Sequence, residues 1–176
     1  DVEKTLPAPL LKNVDVVYVG IFPELKGKNA AFSDGGIYIT GLEPTNFDMI
    51  ENFIHEVAHS LESDLGSFIY DENLMGEFLG KRKRLRSILD QEGYHIKPEL
   101  YDSVEYNKGF DEFLANEVGY PLLLNLTMGL FVSPYGATSL QEYFANGFEK
   151  YFLESPQAVQ SISPVLHQKI DTILNV

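Results

Sequence analysis

Hydrophobic and polar positions divide the chain into a strand-rich first third and a helix-rich remainder. Val14-Asp15-Val16-Val17-Tyr18-Val19-Gly20-Ile21-Phe22 is dense in β-branched and aromatic residues and stops at Pro23, which predicts a strand. Ala30-Ala31-Phe32 and Gly36-Ile37-Tyr38-Ile39-Thr40 flank Ser33-Asp34-Gly35, the pattern of a tight hairpin. Glu43 to Asn46 is a loop, and from about Asn46 to Leu61 the period changes. Phe47, Ile50, Ile54, Val57, Ala58 and Leu61 recur at three- and four-residue steps, one apolar stripe of a helix. Leu65 to Gln91 also reads as helical, Gly93 to Gly109 as a polar loop, Phe110 to Val118 as a short helix and Leu122 to Val132 as an apolar segment. After the turn Ser133-Pro134-Tyr135-Gly136, Thr138 with Gln141 three residues on predicts a capped helix whose buried stripe is Leu140, Phe144, Phe148 and Phe152. Ser155-Pro156 ends it, and Val159 to Val176 reads as a closing helix, interrupted or started by Pro164. The expected fold class is α+β, with a small N-terminal sheet, a helical C-terminal half and a cleft between them.

Composition narrows this picture. A chain of 176 residues that is 44% hydrophobic can bury one good core, so residues 1–176 are expected to form one domain. With 13 basic and 26 acidic residues the formal charge is −13, which argues against nucleic acid as a partner because phosphate binding needs clustered Lys and Arg. The run Lys81-Arg82-Lys83-Arg84-Leu85-Arg86 goes against that trend and reads as a solvated helix face. There are no cysteines, which excludes disulfides, thiolate zinc sites and cysteine nucleophiles and leaves His, Asp and Glu to hold any metal. The longest apolar region, Tyr120 to Val132, is broken by Pro121, Asn125, Thr127 and Gly129, so it reads as core and no membrane insertion is expected. The first residue is Asp1 rather than Met, which fits a removed leader, a larger parent protein or trimming alike.

His55-Glu56-Val57-Ala58-His59 is an H-E-x-x-H motif on a predicted helix. Residues four apart sit one turn up the same face, so both imidazoles can reach one ion, with Zn2+ the expected cofactor. Glu56, one position round, projects beside the metal, where it can take a proton from the attacking water and pass it to the leaving amine. Catalytic zinc usually has three protein ligands and an open position. Six residues after His59, where one class of such enzymes has a third histidine, the chain has Leu65. The other histidines, His95 in the polar loop and His167 in the closing helix, lack companion motifs and suit surface or capping roles. A glutamate from a later helix is the better candidate, and Glu112 and Glu142 both open aromatic-rich helical turns; spacing leaves the two open.

Tyr135-Gly136-Ala137-Thr138-Ser139-Leu140-Gln141-Glu142-Tyr143-Phe144-Ala145-Asn146-Gly147-Phe148, taken with the H-E-x-x-H motif, resembles the zinc metallopeptidase family of anthrax lethal factor and the secreted Pro-Pro endopeptidases. In that family a Tyr-Gly turn is followed, seven residues after the tyrosine, by the glutamate that is the third zinc ligand; Glu142 stands seven after Tyr135. The resemblance covers about half the chain, roughly 37–61 and 135 onward. It implies a zincin-like fold of the glutamate-ligand (gluzincin) type, Glu142 as third ligand and Tyr135 as the phenol that hydrogen-bonds the developing oxyanion. It also implies that the strand before the active-site helix is an edge pairing with extended substrate, which makes Gly36, Ile37 and Tyr38 substrate-binding. Gly35 and Gly36 would allow close approach of that substrate, or serve only the turn. Two features depart from the family. The 83-residue step from His59 to Glu142 is longer than the family's, so about 65–130 is expected to be an added helical element, and Asn146 stands where the family commonly has a second glutamate.

The function expected is that of a zinc endopeptidase, a hydrolase acting on protein or peptide substrates and secreted, or else part of a larger toxin or a virion. A second possibility is a non-catalytic domain that keeps the fold and binds a protein partner in the groove. Intact Glu56 speaks against it. A purely structural zinc would need a fourth protein ligand, and the sequence offers no convincing one.

Overall fold

A computed structural model describes residues 5–25 and 27–175, so Asp1 and the Val176 end of the predicted closing helix lie outside the described residues. The chain is α+β. Strands β1 (Val16–Gly20), β2 (Ala30–Ser33) and β3 (Gly36–Thr40) form one sheet in the order β1-β3-β2, with β1 parallel and β2 antiparallel to β3. The hairpin between β2 and β3 turns through Asp34 (φ 49°) and Gly35 (φ 78°), both left-handed, as a two-residue turn matched to strand twist requires. A side chain at position 35 would also run into Asp15, since a Cβ there would lie 2.5 Å from its Oδ2.

Gly36–Thr40 was expected to be an edge strand, and here the structure differs. Every residue of β3 has a partner on β1, and Gly36 to Ile39 also have partners on β2, so β3 is the central strand and its main chain is already hydrogen-bonded on both sides. Ile37 and Ile39 are buried beneath the first long helix. β1 is the outer strand far from the cleft, and Val16, Val17, Tyr18 and Val19 remain 39–54% exposed. Its β-branched residues predict the strand correctly but say nothing about what covers it.

Helix α1 (Asn46–Ser60) begins where Thr45 accepts from the Asp48 amide and Asp48 accepts from the Thr45 amide, a reciprocal cap that holds two of the free N–H groups of the first turn. Its stripe of Ile54, Val57 and Ala58 is wholly buried, and α1 packs against β2, β3 and α6 (Leu140–Leu153). The predicted helix over 65–91 is two, α2 (Glu62–Ile69) and α3 (Glu72–Gln91), separated because Asp71 caps α3 by accepting from the Asn73 and Leu74 amides. A short α4 (Lys108–Glu112), a wider π-helical stretch (Phe113–Gly119) and α5 (Tyr120–Leu126) follow. The closing helix is likewise two, α7 (Pro156–Ile162) and α8 (Pro164–Leu174), because Pro164 cannot donate a helical hydrogen bond.

One hydrophobic cluster joins sheet and helices, and Ile69, Phe78, Leu85, Phe110, Leu114 and Leu123 from residues 65–130 belong to it. No helix among the described residues is long and apolar enough to cross a membrane. The basic run corrects the sequence reading more sharply. Lys83 and Arg84 are exposed as expected, but Lys81 and Arg82 are buried at 8% and 1% exposure. Lys81 donates to the carbonyls of Leu130 and Ile162 and to Ser163 Oγ, partners 49 to 82 positions away that no local pattern could reveal.

Candidate metal centre

The site is built where α1 meets α6. The apolar stripe of α1 faces the core, which turns His55, Glu56 and His59 toward a cleft of about 750 Å³. Ser139, not Thr138, caps α6, its hydroxyl accepting from the Glu142 amide at 3.1 Å. That cap places Glu142 in the first turn. Leu140, Phe144 and Phe148 seal the helix into the core, and the Glu142 carboxylate is left facing α1.

Three side chains converge there. His55 Nε2 lies 3.1 Å from Glu142 Oε2, His59 Nε2 is 3.2 Å from His55 Nε2, and His59 Nε2 is 3.9 Å from Glu142 Oε1. Ligands about 2.0–2.2 Å from one zinc ion at tetrahedral angles stand about 3.3 Å apart, so the separations fit a single ion bound by three protein groups. All ligand atoms of the group lie within 4.8 Å of one another, and His55, His59 and Glu142 could therefore hold one metal ion.

The electrostatics of the group call for a cation. Burial works against a charged His55, but hydrogen bonds to Glu142 and Glu149 outweigh it and raise the imidazole to about 10. Burial likewise works against the Glu142 carboxylate, and the two histidines more than offset it, holding the group below its usual value. A positive charge is thus favoured between the rings and the carboxylate, whether it is a proton or a metal.

Two carboxylates that the sequence reading missed stand behind the rings. Glu149 Oε2 is 3.3 Å from His55 Nδ1, and Glu62 Oε1 is 2.6 Å from His59 Nδ1. Such partners fix the tautomer that leaves Nε2 free as a ligand and orient the ring. Both were within reach of helix spacing. Glu62 follows His59 by three residues, and Glu149 lies two turns beyond Glu142 on the same face of α6. One turn after Glu142 stands Asn146, whose amide donates to the Glu142 carbonyl at 2.8 Å and whose Oδ1 accepts from Ser133 Oγ.

Glu56 and Tyr135 line the same cleft. Burial, followed by the nearby Glu142 charge, pushes the Tyr135 phenol above its usual value, so it remains a hydrogen-bond donor. Glu112 lies outside the site: its side chain is 58% exposed and pairs with Lys108 at 3.5 Å. His95, 69% exposed, pairs with Asp90 at 3.1 Å; His167, only 13% exposed, pairs with Asp171 at 3.4 Å and packs against the Tyr151 ring, and neither belongs to the metal group. Gly36, Ile37 and Tyr38 do not line the cleft; its sheet wall is Lys28 to Phe32, including the outer edge of β2. Glu105 and Tyr106 also line the cleft, the latter donating to Asp111 at 2.8 Å.

Comparison with known proteins brings no family: no protein-family model matches the chain, and no curated protein or solved structure matches it.

Proposed function

We propose that the chain is a zinc-dependent endopeptidase of the glutamate-ligand, zincin-like type, similar in its site to the lethal factor and Pro-Pro endopeptidase family. The observation that carries this reading is the convergence of His55, His59 and Glu142 in one cleft with Glu56 and Tyr135. Zinc held by those three ligands would polarise the scissile carbonyl and acidify the attacking water. The Glu56 carboxylate takes the proton from that water and returns it to the departing amine. The Tyr135 hydroxyl donates to the carbonyl oxygen as negative charge develops on it, help that typically lowers the barrier by about 3–4 kcal/mol. An extended peptide lies along the outer edge of β2, where main-chain groups of the added strand supply affinity and cleft side chains supply choice.

The test is metal content followed by cleavage. Wild-type protein and Glu112→Ala should each hold one equivalent of zinc after reconstitution, and Glu142→Ala should lose it. Glu56→Gln should keep the metal yet cleave a peptide-library substrate about 10²–10⁴-fold more slowly in kcat. Zinc-free wild type, or Glu142→Ala that retains full affinity, would overturn the reading.

A further inference from the structure

Arg82 lies outside the ligand set but is joined to it by backbone. From α3 its guanidinium reaches into the core with only 1% exposure. Nη1 donates to the carbonyls of Ala137 and Thr138, and Nη2 donates to that of Leu100. The guanidinium carbon sits 4.0 Å from the ring centre of Phe110 and 5.3 Å from that of Phe78, which fixes its plane.

The carbonyls it holds are well placed. Ala137 and Thr138 are the two residues between the Tyr135-Gly136 turn and Ser139, whose hydroxyl caps the helix bearing Glu142. Leu100 leads to Val104, whose carbonyl accepts from the Leu140 amide at 2.8 Å, and then to Glu105 and Tyr106, which line the cleft. One side chain therefore ties together the phenol-bearing turn, the start of the ligand helix and the segment that brings Glu105 and Tyr106 to the cleft. Burying a guanidinium is expensive, and a methionine of similar size often serves stability as well or better. Here the Nε donor has no hydrogen-bond partner among the described residues. The placement is better explained by the geometry it imposes than by stability.

We propose that Arg82 is a positioning residue of the site, holding Tyr135 and Glu142 in register through the segment between them. This inference rests on the peptidase reading. Its experiment compares full-length wild type, Arg82→Met, Arg82→Lys, Tyr135→Phe and the Arg82→Met/Tyr135→Phe pair, each checked for folding by circular dichroism. With a peptide that wild type cleaves, Arg82→Met should lower kcat about tenfold or more with KM held within about threefold. Arg82→Lys, which keeps the charge but not the fork of donors, should lose less. Because part of the effect of Arg82 passes through the phenol, the double variant should lose less than the product of the two single losses. An unchanged kcat in Arg82→Met, or losses that multiply fully in the double variant, would overturn the proposal. Should Arg82→Met fail to fold, Arg82→Lys is judged by the same two criteria. A wild type that cleaves nothing sinks the peptidase reading, and Co2+ absorption then decides: an altered spectrum or weaker binding in the Arg82 variants supports positioning of Glu142, and an unaltered one overturns it.

Discussion

Each candidate ligand histidine is held from behind by a carboxylate, and the two carboxylates come from different places. Glu62 is local, three residues past His59, and makes the shorter contact at 2.6 Å; Glu149 reaches His55 from α6 at 3.3 Å. Both are only part-buried, at 25% and 28% side-chain exposure, so replacing either should leave the fold intact. Glu62→Gln and Glu149→Gln are each expected to weaken zinc binding by about 10–100-fold, measured by competition with a chelating dye. Unchanged affinity in both would mean that packing alone orients the rings.

At the level of elements, α6 carries the most constraint, because it bears Glu142 on one face and packs against α1, α7 and α8 on others. Gly147 is the point of closest approach. A Cβ there would fall 2.2 Å from Leu166 Cδ2 and 3.0 Å from its Cγ, and Leu166 is fully buried with nowhere to retreat. Gly76 and Gly80 are exposed within α3, and a Cβ on either meets nothing within 4 Å. The same substitution should therefore have opposite signs. Gly76→Ala and Gly80→Ala should each stabilise by about 0.5–1 kcal/mol, because alanine restricts the unfolded chain. Gly147→Ala should lower the melting temperature, since overpacking costs about 1–3 kcal/mol and outweighs the gain in helix propensity. Thermal denaturation of the three variants side by side measures this.

On the scale of the whole molecule, α3 is bound to the rest of the chain by ionisable side chains that point inward. Glu77 accepts from Tyr143 Oη and from the Val165 and Leu166 amides, filling the role of a cap for α8 from 88 positions away. Arg82 grips the turn before α6, and Lys81 holds the Leu130 and Ile162 carbonyls. Burial pushes Lys81 down to about 8, only partly opposed by Glu77. The unfolded chain takes up that proton near 10.4, so between about 8 and 10.4 the unfolded state binds more protons and stability from this group rises with pH. The stability gap between wild type and Lys81→Met should shift in favour of wild type by about 1 kcal/mol per pH unit from pH 8 to 9.5, read by urea denaturation. A gap independent of pH would show that Lys81 is not desolvated in the folded protein.

Local chemistry was enough to place His55, Glu56 and His59, because helix periodicity alone puts residues four apart on one face. The Asp34-Gly35 turn was equally legible, since few residues accept two successive left-handed conformations. The start of α1 followed from an apolar stripe with polar residues before it. Glu112 and Glu142, by contrast, open helices of similar local pattern, and periodicity cannot tell them apart; the packing of α6 on α1 brings one to the histidines, while the other stays at the surface. Strand order is non-local as well, so a strand that looked free proved central and the cleft edge fell to β2. Lys81 and Arg82 reversed their expected exposure for the same reason, their carbonyl partners lying up to 81 positions along the chain. Spacing along one element was determined by the sequence itself, because a helix or a turn is built from neighbours. Which elements face each other was decided only by tertiary structure, because the burial and hydrogen bonds that choose among faces are supplied by distant residues.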